Sequence, residues 1–170
     1  MPSDPFRHGW HPPLANETLA EARARNVRDA LTEDVGTGDR TAALVPSRPV
    51  VAQVVVREAA VLCGTAWFDG CIRSVEPTAA IVWRHDEGDR MAPGDVVCEV
   101  SGDARGLLTA ERPALNLLQL LSGTATATRA LVERIAGASP NPRGCLVLDT
   151  RKTIPGLRLD RKSTRLNSSH

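Results

Sequence analysis

The sequence lacks the features of several specialised classes of protein. No run of 18 apolar residues occurs, so no helix is expected to span a bilayer. The 21 basic and 20 acidic side chains leave a formal charge of +1, which argues against a nucleic-acid or anionic-membrane partner held by a basic surface. The N-terminus has neither an apolar signal core nor a transit-peptide pattern, so a cytoplasmic location is expected.

Patterns typical of metal sites, disulfides and common nucleotide folds are also missing. His8 and His11 are the only close histidines, and their proline-rich surroundings provide no rigid scaffold for a metal. Dinucleotide, P-loop, catalytic-triad and zinc-type motifs are absent. Without a CxxC pair, buried free thiols are expected at four separated positions, Cys63, Cys71, Cys98 and Cys145.

The first part of the chain predicts a leader followed by one helix. Residues 1–15 are proline-rich and aperiodic, so we expect them to be flexible. Thr18 and Glu21 have the spacing of a capping box, and apolar residues then recur at steps of three and four. These signals predict a helix over residues 17–33.

The segments up to residue 110 predict an antiparallel sheet with one further helix. The β-branched run over 50–57 predicts a strand buried on both faces. Residues 64–75 predict a short helix, and strands are expected over 79–86 and from Val96. The apolar face of the short helix holds Trp67, Phe68, Cys71 and Ile72. Residues 16–110 are therefore expected to form an α+β domain.

A long helix is expected next. Apolar residues at steps of three and four over 111–136 form an apolar stripe along one face of this helix. Because Pro113 is tolerated only in a first turn, the helix is expected to begin near Ala110. Gly123 suggests a kink or close helix packing, and Gly137 a C-terminal stop.

The last part of the chain predicts the start of a second domain. The segment CLVLD over 145–149 predicts a short buried strand, and a long helix followed by such a strand is typical of a βα-type domain over 111–158. Residues 159–170 lack periodicity and predict a non-native or disordered tail. Because the strand at 145–149 has no later partner, the chain is expected to be incomplete.

The strongest candidate site is DTRKT, residues 149–153, directly after that strand. Ligands bind at the carboxyl ends of strands in α/β folds, and Arg151 and Lys152 combine a planar fork with a compact ammonium suited to carboxylate or phosphate. Only Lys152 and Lys162 are lysines among the 21 basic residues, so the choice of lysine here is informative. The alternative is a pair of solvated loop charges.

A weaker candidate is Arg112, at the expected start of the long helix. A cation there opposes the helix dipole unless an anion is near, and a bound anion would remove the conflict. Glu111 offers a local ion pair as the alternative. Asp34 and Asp39 lie in the polar turn over 33–39 and are expected to end the first helix and shape its turn, not to act as an acid–base pair.

Four sequence blocks then stand out together. They are EDVGTGDRT (33–41), REAAVLCG (57–64), GLLTAERPALNLLQLLSGTATAT (106–128) and DTRKTIPGLR (149–158). In order and spacing they resemble the quinolinate phosphoribosyltransferase family, whose members are also called carboxylating nicotinate-nucleotide pyrophosphorylases.

The resemblance implies an α+β N-terminal open sandwich followed by the start of an α/β barrel that is truncated in this chain. It also implies a cytoplasmic homodimer that converts quinolinate and phosphoribosyl pyrophosphate (PRPP), with Mg²⁺, to nicotinate mononucleotide, pyrophosphate and CO₂ in NAD biosynthesis. By motif, Arg112 reaches the neighbouring subunit's quinolinate site, and Arg151 and Lys152 bind substrate carboxylates within their own subunit.

The resemblance assigns no catalytic residue to this chain. The family segments that bind PRPP and Mg²⁺ follow the last matching block, and no counterpart follows Arg158. The metal ligands are therefore expected outside this chain, and the 170-residue chain is expected to be inactive alone.

Three alternative functions remain open. A paralogous phosphoribosyltransferase-like protein of the same superfamily, molybdenum-transport-associated or nicotinate-specific, would share much of the pattern. The segment over 87–102 has the turn-and-strand rhythm of a biotinyl or lipoyl carrier, but such carriers need a modifiable lysine and residues 1–151 contain none. A non-catalytic interaction fragment is the third alternative.

Overall fold

The computed structural model describes residues 17–138, together with Cys145 and Val147. The expected leader, the tail and most of the strand at 145–149 lie outside these described residues. The described elements are, in chain order, α1 (Leu19–Val35), α2 (Arg40–Leu44), β1 (Pro49–Val55), β2 (Ala60–Val61), α3 (Thr65–Val75), β3 (Ala80–Trp83), β4 (Arg90–Met91), β5 (Val96–Asp103) and α4 (Ala104–Ile135).

The first helix forms where its capping box predicts it. The Thr18 hydroxyl accepts a hydrogen bond from the Glu21 N–H, and the Glu21 carboxylate accepts from the Thr18 N–H at 2.8 Å. Helix α1 continues to Val35 and ends at Gly36, which adopts a positive φ of 53°. The short helix α2 that follows was not expected from the sequence.

Three strands form an antiparallel sheet in the order β1-β5-β3. Val54 pairs with Cys98 while Val55 pairs with Val96, so Val97 is an extra residue that makes a β-bulge. The bulge interrupts the alternation of side chains along β5, so Val97 and Cys98 are both buried. Strands β2 and β4 form a separate two-stranded sheet that the sequence analysis missed.

The prediction that the first strand is buried on both faces is wrong. Among the described residues, β1 lies at the edge of the sheet and pairs with β5 alone, and Val51 and Val55 are 68% and 48% exposed. The same face carries polar contacts: the Gln53 amide donates to Glu99 at 2.9 Å. One face of the sheet is therefore open, as expected for an α+β open sandwich.

The core lies between the other face of the sheet and helices α3 and α4. The predicted apolar face of α3 is confirmed, and Phe68 meets Trp83 edge to face with ring centroids 5.4 Å apart. Burial raises the pKa of the Cys71 thiol to about 11 and that of the Cys98 thiol to about 12. Cys63 is also buried, but Cys145 is exposed, so the expected burial is wrong for that thiol.

Helix α4 begins earlier than predicted. It starts at Ala104, after Asp103 accepts a hydrogen bond from the Arg105 N–H at 2.9 Å, and Pro113 lies inside the helix. An internal proline costs about 3 kcal/mol, but its ring is fully buried here and the apolar stripe already begins at Leu107. Burial of the stripe offsets the missing hydrogen bond, and the rule that placed proline in the first turn fails.

The glycines of α4 behave differently from each other. Gly137 follows the helix with a φ of 73°, which confirms the predicted C-terminal stop. A Cβ atom built at Gly123 meets nothing within 4 Å, so the close-packing explanation for that glycine is wrong. Although α4 has 32 residues, neither it nor any other helix in the described part is long and apolar enough to cross a membrane.

Hydroxyl groups of α4 form hydrogen bonds with the backbone in and next to β2. Ser122 Oγ accepts from the Cys63 N–H at 3.0 Å and donates to the Cys63 carbonyl at 2.9 Å. Thr126 Oγ1 accepts from the Val61 N–H at 2.9 Å. These bonds give hydrogen-bond partners on α4 to backbone groups of Val61 and Cys63.

We expect Ser122→Ala to destabilise the fold, because it removes the buried hydroxyl that binds both the N–H and the carbonyl of Cys63. The free energy of unfolding should fall by about 1–3 kcal/mol, measured by urea denaturation. Thr124→Ala is the matched control, since the Thr124 hydroxyl donates only to the Leu120 carbonyl of its own helix. An equal loss in both variants would contradict this role for Ser122.

Candidate anion-binding site

Two of the motif blocks meet at one surface of the fold. Asp34 belongs to the last turn of α1, and Arg112 is in the third turn of α4. Although 78 positions separate them in the sequence, Arg112 Nη1 lies 3.0 Å from Asp34 Oδ1. The EDVGTGDRT and TAER segments are therefore joined by a charge-assisted hydrogen bond.

The two partners differ in exposure. The Arg112 side chain is 73% exposed, whereas the Asp34 side chain is 24% exposed. A guanidinium has five N–H donors, and the contact with Asp34 engages Nη1. Arg112 can therefore offer further donors to a carboxylate or phosphate while it remains bound to Asp34.

Asp39 fixes the short helix beside this pair. Its carboxylate accepts from the backbone N–H groups of Ala42 and Thr41, each at 2.9 Å, and so caps α2. The bond from the Ala42 N–H, helped by the Thr109 side chain, the Thr41 N–H and the Arg112 charge, holds the pKa of Asp39 below its usual 3.8. Arg112 thus interacts electrostatically with both Asp34 and Asp39.

The start of α4 is tied to the segment that precedes β1. The Arg105 Nε donates to the Val45 carbonyl, and the Ser47 hydroxyl donates to Asp103 at 2.7 Å. The Ala104 N–H donates to the Arg48 carbonyl at 2.9 Å. The surface around Arg112 is therefore built on anchored backbone.

The structure corrects the sequence-based account of Arg112. Because α4 begins at Ala104, Arg112 is not at the helix N-terminus, and its charge does not oppose the helix dipole there. The ion pair is formed with Asp34 instead of Glu111. Asp34 lies within α1, so its expected role in ending the helix is also corrected, while Asp39 shapes the turn as expected.

The other two predicted site residues, Arg151 and Lys152, lie outside the described residues. Their expected convergence with Arg112 on one ligand stays a prediction. The contact between Asp34 and Arg112 was missed because no local spacing links residues in two different helices. The only sequence signal for it was that both residues belong to the blocks that carry the family resemblance.

A groove of about 1310 Å³ lies between β1 and α4. The segment over 57–60 contributes to it together with apolar side chains of both elements, while Arg57, Glu58 and Glu111 are its charged residues. Val50 and Val54 line the groove and are only half-buried for that reason. No sequence pattern indicates this groove, because its walls consist of residues typical of a core.

No metal site is present among the described residues. Within residues 17–138 together with Cys145 and Val147, no three His, Cys, Asp or Glu side chains are placed to hold an ion. A magnesium ion held by one or two carboxylates and by substrate phosphates does not need such a cluster.

Comparison with known proteins identifies the domain to which this surface belongs. The family model described as "Quinolinate phosphoribosyl transferase, N-terminal domain" matches residues 37–122. This match includes Asp39, most of the hydrophobic core and the part of α4 that contains Arg112. Asp34 lies just before it.

Curated and solved relatives agree with the family model. The chain is 38% identical over 136 residues to the chloroplastic carboxylating nicotinate-nucleotide pyrophosphorylase of Arabidopsis thaliana, covering 78% of this chain and 37% of that protein. It is 37% identical over 146 residues to the corresponding protein of Mycobacterium leprae, covering 81% and 49%. The solved nicotinate-nucleotide pyrophosphorylase of Francisella tularensis superposes with a TM-score of 0.82 at 36% identity, covering 90% of this chain and 53% of that one.

We expect Asp39 to stabilise the fold in a pH-dependent manner. Its folded pKa is depressed, so the stabilisation is fully present above pH 3.8 and is lost as the pH falls through the lower folded pKa. Asp39→Asn keeps an oxygen acceptor but removes the charge, so its melting temperature should lie below that of the wild type at neutral pH and converge with it in acid. Asp29→Asn is the control, and a pH-independent difference for Asp39→Asn would contradict this expectation.

Proposed function

This chain belongs to the quinolinate phosphoribosyltransferase family, and from that premise we propose that the protein containing it transfers the phosphoribosyl group of PRPP to quinolinate with decarboxylation. The products are nicotinate mononucleotide, pyrophosphate and CO₂, a step of NAD biosynthesis. The chain spans about half or less of the length of the relatives it matches, so the activity is proposed for the longer protein.

The observation that carries the proposal is the exposed guanidinium of Arg112, held by Asp34 within a family-specific motif. Quinolinate is a flat dianion, and a site for it needs several cations in fixed positions. A guanidinium matches the two oxygens of a carboxylate with two parallel N–H donors. Arg112 supplies one such fork, and Arg151 and Lys152 are proposed to supply the others.

The chemistry of the reaction explains why the protein mainly positions and neutralises its substrates. The pyridine nitrogen bonds to the ribosyl carbon as pyrophosphate leaves with the electron pair of the broken bond. The quaternary ring then accepts the electron pair released when the 2-carboxylate departs as CO₂, and that ring carbon takes up a proton. Arg112 is proposed to hold the diacid so that its nitrogen faces the ribosyl carbon.

We propose that the protein works as a cytoplasmic homodimer with sites shared between subunits. In this arrangement Arg112 enters the neighbouring subunit's site, while Arg151 and Lys152 serve their own. The 73% exposure of the Arg112 side chain supports its availability to another chain. Mg²⁺ is proposed to accompany PRPP, and the near-zero formal charge supports small anionic substrates over nucleic acid or a membrane as partners.

We expect Arg112→Ala, made in the complete enzyme, to weaken quinolinate binding. Loss of a charge-assisted contact worth about 1.5–3 kcal/mol should raise KM for quinolinate by roughly 10- to 150-fold. Steady-state kinetics with quinolinate varied at saturating PRPP measure this change.

Arg73→Ala is the matched control for Arg112→Ala, because it removes an exposed arginine of α3. It should leave KM for quinolinate unchanged. An unchanged KM in Arg112→Ala, or a preference of the wild-type enzyme for nicotinate over quinolinate, would contradict the proposed function and favour a paralogous activity.

If each site is shared between two subunits, mixing two defective variants should restore part of the activity. Arg112→Ala and Lys152→Ala subunits should each give weak homodimers. A mixed dimer contains one site with its own Lys152 and the partner subunit's Arg112 intact. Random re-association of equal amounts should therefore restore about one quarter of the wild-type activity, since about half the dimers are mixed and each has one intact site of two.

The control for this mixing experiment combines both substitutions in one chain and mixes it with wild-type subunits. Those mixed dimers hold one substitution in each site, so they should add no activity beyond the remaining wild-type dimers. Failure of the two single variants to complement each other would contradict a site shared between subunits.

A further inference from the structure

The contact between Asp34 and Arg112 has an electrostatic cost for anion binding. Arg112 is proposed to bind an anion, yet the structure places a carboxylate against its Nη1 at 3.0 Å. A negative charge beside an anion site weakens the attraction for the ligand. Asp34 therefore favours ligand binding only if another effect of this residue outweighs its repulsion of the anion.

Fixing the side chain of Arg112 is such an effect. An exposed arginine samples many rotamers, and binding must freeze them at an entropic cost. At 73% exposure, Arg112 has little packing to restrict it. A hydrogen bond to a fixed acceptor selects one arrangement before the substrate arrives.

Asp34 is suited to be that fixed acceptor. It belongs to α1, which packs against α3 and α4 through buried residues such as Ala22 and Val27. Its side chain is 24% exposed, so its own freedom is reduced. Asp39, which caps α2 nearby, adds to the field at Arg112 without being its hydrogen-bond partner.

The contact also leaves a usable face of the guanidinium. Asp34 engages Nη1, and a carboxylate can bind two parallel N–H groups on another edge of the same planar fork. One arginine can thus be held by one carboxylate and bind a second one. A lysine has no such fork and could not do both in a fixed geometry.

We infer that Asp34 is a positioning residue for the substrate site: it orients the Arg112 guanidinium toward the diacid that this arginine binds, an inference that rests on the proposed function. Asp34 touches no substrate and acts through Arg112. The inference assigns a role in substrate affinity to the second residue of the EDVGTGDRT block.

The test uses Asp34→Ala and Asp34→Asn in the complete enzyme. The alanine variant loses the acceptor, so KM for quinolinate should rise by about 2- to 12-fold, the cost of ordering one long side chain, with KM for PRPP unchanged. The asparagine variant retains an oxygen that accepts from Nη1, so it should recover most of the loss. If Asp34 acts only by repelling the substrate, both variants lower KM, and the inference is overturned.

A double-mutant cycle separates positioning from a general structural effect. In an Arg112→Ala background, Asp34→Ala should have no further effect on KM for quinolinate, because the group that Asp34 orients is gone. An undiminished effect in that background overturns the inference. If Arg112→Ala alone leaves KM for quinolinate unchanged, the proposed role of Arg112 is overturned and this inference with it. If Arg112→Ala raises KM as expected but Asp34→Ala does not, the inference alone is overturned.

Two further variants serve as controls for misfolding of Asp34→Ala and for the non-specific effect of removing an aspartate from α1. Asp34→Glu keeps the negative charge but displaces the acceptor by one methylene, so it should raise KM even where the alanine variant is too unstable to assay; an unchanged KM overturns the inference. Asp29→Ala removes an exposed aspartate of the same helix, paired with Arg28 at 2.9 Å, and should leave KM unchanged. A rise equal to that of Asp34→Ala would overturn the inference.

Discussion

Burial of the apolar stripe of α4 is the constraint on which the rest of the fold depends. Residues of this stripe, from Leu107 to Ala125, form one wall of the core, and α3 and the sheet pack against it. The burial is extensive enough to accommodate Pro113 in the helix interior. Hydroxyls on the same helix, at Ser122 and Thr126, then bind the backbone beside β2, so α4 organises both sheets.

The candidate anion-binding surface also depends on burial of the apolar stripe of α4. A helix that buries one face presents its opposite face at fixed spacing, and Arg112 is exposed on α4 while Pro113 and Ala114 beside it are fully buried. The loop between α1 and α2 is fixed next to it by the cap at Asp39. A long flexible side chain is thus held on a rigid base, as the proposed recognition of a planar diacid would require.

Much of the fold was predictable because local rules and tertiary packing agree. The capping box of α1 and the apolar face of α3 involve residues within one or two turns, and both are confirmed. The rules failed where packing overrides them. Pro113 should have marked the start of α4 but lies inside it. The apolar run of β1 predicted a strand buried on both faces, although β1 lies at the edge of the described sheet and has one exposed face.

The sequence by itself determined the residue types of the candidate site, the family to which its motifs point, and the helix that carries Arg112. Only the tertiary structure decided that the side chains of Asp34 and Arg112 meet and that Glu111, the immediate neighbour of Arg112, is not the partner. The physical reason is distance along the chain. Helical periodicity relates residues three or four apart, whereas a contact across 78 positions arises from how α1 and α4 pack on a shared core.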